Sequence, residues 1–211
     1  MKRTEVSIPC GDITLEGIWQ IPDGEGNFPA VIICHPHPLH GGSIHNYIVS
    51  AVSRALLARS IATLRFNFRG VGKSGGAFGD GIKEQDDVKA AVDFAISQKN
   101  VDKGRIGMAG YSFGGGVSVP AAFKDSRVKA LALISPAIMD GGWDLLRKLK
   151  IPKMLISGSG DAFFPTQQFE AEFKGVPAPK QIYIIEGADH FWQGFEAEVG
   201  EKVGECFKVN L

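Results

Sequence analysis

The sequence predicts an α/β fold: a three-layer α/β/α sandwich around a mostly parallel sheet. Short, mainly apolar runs recur along the chain, as strands buried on both faces of a parallel sheet require. They are Ala30–Cys34, Ile61–Phe66, Arg105–Ala109, Ala130–Ile134, Met154–Ile156 and Ile182–Ile185. Amphipathic helical stripes fall between them, and strands alternating with helices imply βαβ crossovers. No internal repeat, low-complexity tract or long linker divides the chain, so residues 1–211 are expected to form a single domain.

Taken in order, Ile13–Ile21 comes first. Ile13, Leu15, Gly17, Trp19 and Ile21 alternate with mostly polar neighbours, the pattern of a half-buried strand. Asp23–Asn27, with two glycines, suggests a hairpin-like loop. Ile48, Ala51, Val52 and Ala55 form one helical stripe, and Val88, Ala91, Val92 and Ala95 another. Glu84, Asp86 and Asp87 stand in the first turns of the second helix, where carboxylates meet the positive end of the dipole. A last helix is expected from near His190, with Phe191, Phe195, Val199, Val203 and Phe207 facing the core.

Composition excludes several functions. Lys plus Arg equals Asp plus Glu, 23 each, so the chain lacks the electrostatic footprint of a nucleic-acid binder or a polybasic membrane anchor. No apolar run approaches the ~20 residues that cross a bilayer. The first residues, Met1–Ser7, lack the apolar stretch of a signal peptide. Cys10, Cys34 and Cys206 show no CxxC spacing and imply neither a disulfide framework nor a zinc knuckle. A reducing cytoplasm is the expected compartment.

The 27 glycines carry the chemistry. Gly70–Gly75 satisfies GxGxxG and nearly satisfies a P-loop, but glycines 76, 79 and 81 follow, so no helix opens to cradle a phosphate. A GxSxG pattern occurs twice. The copy around Ser74 lies inside that glycine-rich loop. The copy Gly110-Tyr-Ser112-Phe-Gly114 follows the strand Arg105–Ala109 and precedes a small-residue helical stretch from Gly115. Strand, sharp turn, helix is the geometry of a nucleophile elbow, with Ser112 exposed at the carboxyl end of the sheet. The helix start then offers the N–H of Phe113 to a developing oxyanion.

A serine nucleophile needs a base, and the base an orienting acid. His190, after a strand and the loop Glu186–Asp189, can reach back over the sheet edge. Asp161, after Gly158-Ser-Gly160, also leaves a strand at its carboxyl end, and the order Ser112, Asp161, His190 fits one fold class. Asp189 and Asp140 are rivals for the acid. Histidines 35, 37, 40 and 45 crowd one segment, yet their spacing resembles no zinc motif, and no carboxylate lies between Glu25 and Asp80. No metal is expected. Pro36 and Pro38 instead hold the segment extended, which makes the N–H of His37 a candidate second oxyanion donor, with Leu39 as fallback.

These motifs together resemble the α/β-hydrolase superfamily: His35-Pro-His-Pro, Arg65–Ser74, Gly110–Gly114, Gly158–Asp161 and Gly187–His190. More narrowly they are similar to small bacterial hydrolases related to dienelactone hydrolases and prolyl-oligopeptidase-like esterases. The resemblance implies Ser112 as nucleophile, Asp161 as acid, His190 as base and the backbone N–H groups of Phe113 and His37 as oxyanion hole. It also implies an eight-stranded sheet. Dienelactone hydrolases carry a cysteine where this chain has Ser112, a departure that bears on lactone specificity. Ser135–Pro152 leaves room for one short helix and no lid, so an open cleft is expected, lined by Trp143, Phe163, Phe164 and Trp192. The glycine-rich loop at 70–81 then becomes a wide structural turn. The activity implied is hydrolysis of esters or thioesters of small acyl groups, with an acyl substrate and water as partners and no cofactor. Amide hydrolysis by the same residues, or a non-catalytic ligand-binding protein, are the alternatives.

Overall fold

The computed structural model describes residues 1–211. Its eight strands form one sheet in the order β1-β2-β4-β3-β5-β6-β7-β8. These are β1 (Lys2–Cys10), β2 (Ile13–Ile21), β3 (Phe28–Cys34), β4 (Ala62–Phe66), β5 (Val101–Tyr111), β6 (Val128–Ile134), β7 (Lys153–Gly158) and β8 (Lys180–Ile185). From β4 to β8 every neighbouring pair is parallel, whereas β1–β2 and β2–β4 are antiparallel. The loop 23–27 is therefore no hairpin. It links β2 and β3, which β4 separates, because the strand after β3 returns between them. β1 carries only a weak apolar alternation, Val6, Ile8 and Cys10, and was not evident from the sequence; it pairs with β2 over its whole length.

Six helices cover the sheet: α1 (Tyr47–Leu57), α2 (Glu84–Ser97), α3 (Phe113–Lys124), α4 (Gly142–Lys148), α5 (Thr166–Lys174) and α6 (Glu196–Asn210). The period of two in each strand sorts its side chains to opposite faces. In β3, Ala30, Ile32 and Cys34 join the larger apolar cluster under α2–α5, while Val31 and Ile33 join the smaller one under α1 and α6. Each fully buried aliphatic side chain contributes roughly 1.5–3 kcal/mol, so both faces hold the layers together. No helix is long and apolar enough to cross a membrane.

Two helix starts differ from expectation. The helix after the elbow begins at Phe113, two residues before Gly115. The last begins at Glu196 because residues 189–195 form turns, in which Asp189 Oδ1 accepts from the N–H groups of Phe191 and Trp192. This rotates the segment: Trp192 is fully buried and Phe191 is 54% exposed, against the expectation that Phe191 faces the core. Val199, Val203 and Phe207 are buried as predicted.

The chain runs from β3 to β4 in one direction and then crosses to β5 on the other side, so the order reverses around β3. In open α/β sheets the crevice outside the carboxyl ends of the strands at such a point is where ligands bind.

Candidate active site

Ser112 lies at that point. It has φ +53 and ψ −119, a left-handed conformation costing about 1–3 kcal/mol for a residue with a side chain. Hydrogen bonds hold it there: its N–H donates to Ile134 O at 2.9 Å, and its carbonyl accepts from Gly116 N at 3.1 Å and Ala137 N at 2.9 Å. The flanking glycines are dictated by space. A Cβ on Gly110 would lie 2.4 Å from Gly114 O, and one on Gly114 would lie 2.4 Å from Cys34 O. Only bare backbone lets β3, β5 and α3 close so tightly.

Ser112 Oγ lies 3.0 Å from His190 Nε2, and His190 Nδ1 lies 2.8 Å from Asp161 Oδ2. Asp161 leaves β7 through Gly158–Gly160, and Gly160 N donates to Ala188 O at 2.9 Å. A Cβ on Gly158 would approach that same carbonyl to 2.2 Å, so the glycine lets the β7 end touch the loop bearing His190. Burial pushes the Asp161 carboxyl up. Its bond with His190, the neighbouring Ser135 hydroxyl and the Phe164 N–H outweigh that and hold it below the usual carboxylate value. Phe163 and Phe164 N–H groups both donate to Oδ1 at 3.0 Å, leaving Oδ2 for the imidazole. The Nδ1–H is thereby fixed toward the acid, and the Nε2 lone pair faces Ser112. Asp189 spends its carboxylate on its own turn, and Asp140 is exposed in a loop; neither is brought to His190.

The four-histidine segment does not converge on a point. His35 is fully buried: Nδ1 donates to Pro36 O at 2.7 Å and Nε2 accepts from Phe68 N at 3.0 Å, and burial pushes its pKa down to about 4. His37 packs between His40, Phe78 and Phe113, with ring centres 4.6–5.1 Å apart. Its Nδ1 accepts from Leu39 N at 3.2 Å, so the fallback donor is already engaged. The N–H of His37 itself donates to no group of the protein. Phe113, as the first residue of α3, has no intrahelical acceptor for its N–H.

A cleft of about 610 Å³ opens over Ser112. Phe163 and Phe164 line it, as expected, together with Tyr47, Phe113 and Phe191, which the sequence reading did not place there. Trp143 and Trp192 do not. Trp143 packs on Phe169, 6.0 Å between ring centres, against the larger apolar cluster. Trp192 turns inward, and its Nε1 donates to Ser135 Oγ at 3.2 Å. No side chain of Asp, Glu, Lys or Arg lines the cleft. The second GxSxG serine lies elsewhere: Ser74 Oγ donates to Asn67 O at 2.7 Å and accepts from Glu16 N at 2.9 Å, pinning the glycine-rich loop to β2.

Residues 17–145 match the family model of X-Pro dipeptidyl-peptidases (S15 family), and residues 85–206 match that of PET hydrolase-like proteins. An α/β serine hydrolase homologue from Coxiella burnetii is 32% identical and aligns over 97% of both chains with a TM-score of 0.87. A lidless α/β serine hydrolase from Xanthomonas campestris is 26% identical, covering 98% of this chain and 94% of that one with a TM-score of 0.82. An uncharacterized protein from Rickettsia prowazekii is 27% identical over 187 residues, which is 85% of this chain and 78% of that protein. The chain spans less than half the length of several other curated relatives. With its eight-stranded sheet, single short helix between β6 and β7 and serine at the elbow, the chain belongs to the α/β-hydrolase superfamily as a lidless serine hydrolase.

Proposed function

We propose that this hydrolase cleaves carboxylic esters or thioesters of small acyl groups through an acyl-enzyme on Ser112. The observation that carries the reading is the unbroken pair of contacts from Ser112 Oγ through His190 to Asp161, at 3.0 and 2.8 Å, on the floor of an uncharged cleft. His190 Nε2 takes the proton as Oγ attacks the carbonyl carbon, and the buried Asp161 carboxylate stabilises the imidazolium formed. The oxyanion receives the N–H groups of Phe113 and His37. Collapse of the tetrahedral species expels the alcohol or thiol, which takes its proton from His190. Water, deprotonated by His190 in turn, attacks the acyl-enzyme and releases the acid. No step requires a cofactor.

Amide hydrolysis uses the same machinery, and the match to X-Pro dipeptidyl-peptidases keeps it in view. Against it, the cleft lining offers no carboxylate to bind the free amino end of a peptide. A neutral, aromatic-lined cleft suits uncharged acyl groups, and the PET hydrolase-like match points toward ester substrates.

A panel of p-nitrophenyl esters of increasing acyl length, run beside matched anilides, tests this reading. Expected are ester turnover that declines with chain length, and a fluorophosphonate adduct mapped to Ser112. Ser112→Ala should abolish both while leaving the fold intact, since it removes a single hydroxyl. An adduct on Ser74, or folded wild-type protein inert to every ester, would sink the reading. The second outcome would favour a ligand-binding role.

A further inference from the structure

Two segments of the cleft, Asp161-Ala-Phe-Phe164 and Asp189-His-Phe-Trp192, are built alike. In each, the aspartate Oδ1 accepts the N–H groups of the residues two and three further on: Phe163 and Phe164 in the first, Phe191 and Trp192 in the second. Each turn leaves the phenylalanine two residues after its aspartate facing outward. Phe163 is 62% exposed and Phe191 54%, the two most exposed aromatic rings of the chain, and both line the cleft. Their ring centres lie 5.8 Å apart with the planes at 89°, so the two rings bound a right-angled corner. The imidazole of His190 closes it, 4.9 Å from Phe163 and 5.8 Å from Phe191. Phe164, 5.6 Å from His190 and 5.9 Å from Phe169, ties the corner to α5. A flat apolar group entering it can stack on one ring and meet the other edge to face, the two arrangements that aromatic pairs prefer.

We propose that the corner formed by Phe163 and Phe191 is the leaving-group subsite, and that the preferred esters carry an alcohol with a flat aromatic ring. The inference rests on the Ser112–His190–Asp161 reading above. Collapse of the tetrahedral species breaks the bond between the carbonyl carbon and the alcohol oxygen, and that oxygen takes the proton held on His190 Nε2. The leaving oxygen must therefore lie within hydrogen-bond reach of Nε2, and whatever it carries extends past the imidazole. Phe163 and Phe191 are the exposed rings that flank the imidazole there. The acyl group leaves the same carbon in another direction, so a small acyl group and an aromatic alcohol are compatible in one substrate. No charged side chain lines the cleft, which suits an uncharged ring.

The test compares 2-phenylethyl acetate with 2-cyclohexylethyl acetate, which share an acyl group, a carbon count and an alcohol of like basicity. They differ in whether the ring is flat and aromatic. The wild type should favour the phenyl ester about 10-fold in kcat/KM, the size of two aromatic contacts beyond plain apolar burial. Phe163→Leu with Phe191→Leu keeps an apolar corner and the backbone bonds to Asp161 and Asp189, and should bring that ratio close to one. Each single variant should lose part of it. Phe123→Leu, which alters an exposed ring of α3 outside the cleft lining, should keep the wild-type ratio. Ethyl phenylacetate and ethyl cyclohexylacetate move the ring to the acyl side, and their ratio should not depend on Phe163 or Phe191. A wild-type ratio near one for the acetates, or a preference that survives in the double variant, would overturn the proposal. So would a preference that the double variant removes from the acyl pair instead. Both rings are more than half exposed, so the variants should fold; if the double variant does not, the two single ones decide by the same criterion. Folded wild-type protein inert to all four esters would sink the Ser112 reading and this inference with it. Hydrolysis that Ser112→Ala abolishes, but that ignores the aromatic ring, removes only the subsite.

Discussion

The hydroxyl of Tyr111 donates to the backbone carbonyl of His190 at 2.8 Å. The residue immediately before the elbow serine thus holds the backbone of the residue that faces that serine. Tyr47, from the first turn of α1, does the same for the carbonyl of Phe191. Two phenols from two elements fix a turn that has no regular secondary structure of its own, so the 3.0 Å approach of Nε2 to Oγ does not depend on the turn alone.

Tyr111→Phe is therefore expected to lower kcat several-fold while leaving KM nearly unchanged. It should also reduce stability by about 1–3 kcal/mol, because the buried His190 carbonyl loses its partner. Steady-state kinetics and urea denaturation of the same preparation check both. Wild-type values for each would mean that the bond is idle.

Asp161→Asn should lower kcat by orders of magnitude, since an amide in that place favours the imidazole tautomer with its proton on the wrong nitrogen; ~10⁴ is the magnitude known for a triad acid in another serine hydrolase. Asp189→Asn should cost little in rate, because Asp189 Oδ1 only accepts from the N–H groups of its own turn and an asparagine oxygen can do so too. Reversed effects would make Asp189 the acid and the contact between His190 and Asp161 incidental.

The elbow and the order Ser112, Asp161, His190 were legible because each rests on local chemistry: a glycine pair that sterics demand around Ser112, and short loops at strand ends. The cleft wall was not, because it is assembled from three dimensions. Tyr47 reaches it from the start of α1, and Phe191 arrives by a turn that breaks the helical spacing linking residues 191, 195 and 199. The Asp189 side chain and Gly194, at φ +86, are the local signals that residues 189–195 stop short of helix, and they explain why Trp192 and not Phe191 is the buried ring.

Stability should vary with pH in two separate windows. His35 is neutral in the fold, with a pKa pushed by burial from 6.5 to about 4. A histidine with a depressed pKa contributes stability that is fully present above the unfolded value and is lost as pH falls toward the folded one. The contribution is about 3 kcal/mol, declining between pH 6.5 and 4. Asp161, whose carboxyl is also held below its ordinary value, contributes stability present above that value and lost as pH falls through the folded one, hence in a lower window, below about pH 4. Denaturant titrations across pH 3–7 should show the upper slope in the wild type and lose it in His35→Gln. A variant that keeps the slope would assign it to other groups.

The proposed oxyanion donor at the backbone of His37 can be tested directly. Its φ is −54, already within the range that a proline ring imposes, and its N–H makes no bond within the protein that a proline would break. His37→Pro consequently deletes one donor without forcing the dihedral. If that N–H receives the oxyanion, kcat should fall about 10²–10³-fold, the usual cost of one such donor, with KM little affected because the bond strengthens only as the carbonyl oxygen becomes charged. His37→Ala is the control. It keeps the N–H but removes the ring that packs between His40, Phe78 and Phe113, so it should cost stability more than rate. Equal loss of kcat in the two variants would place the function in the imidazole, and a mild His37→Pro would show that the oxyanion is held elsewhere.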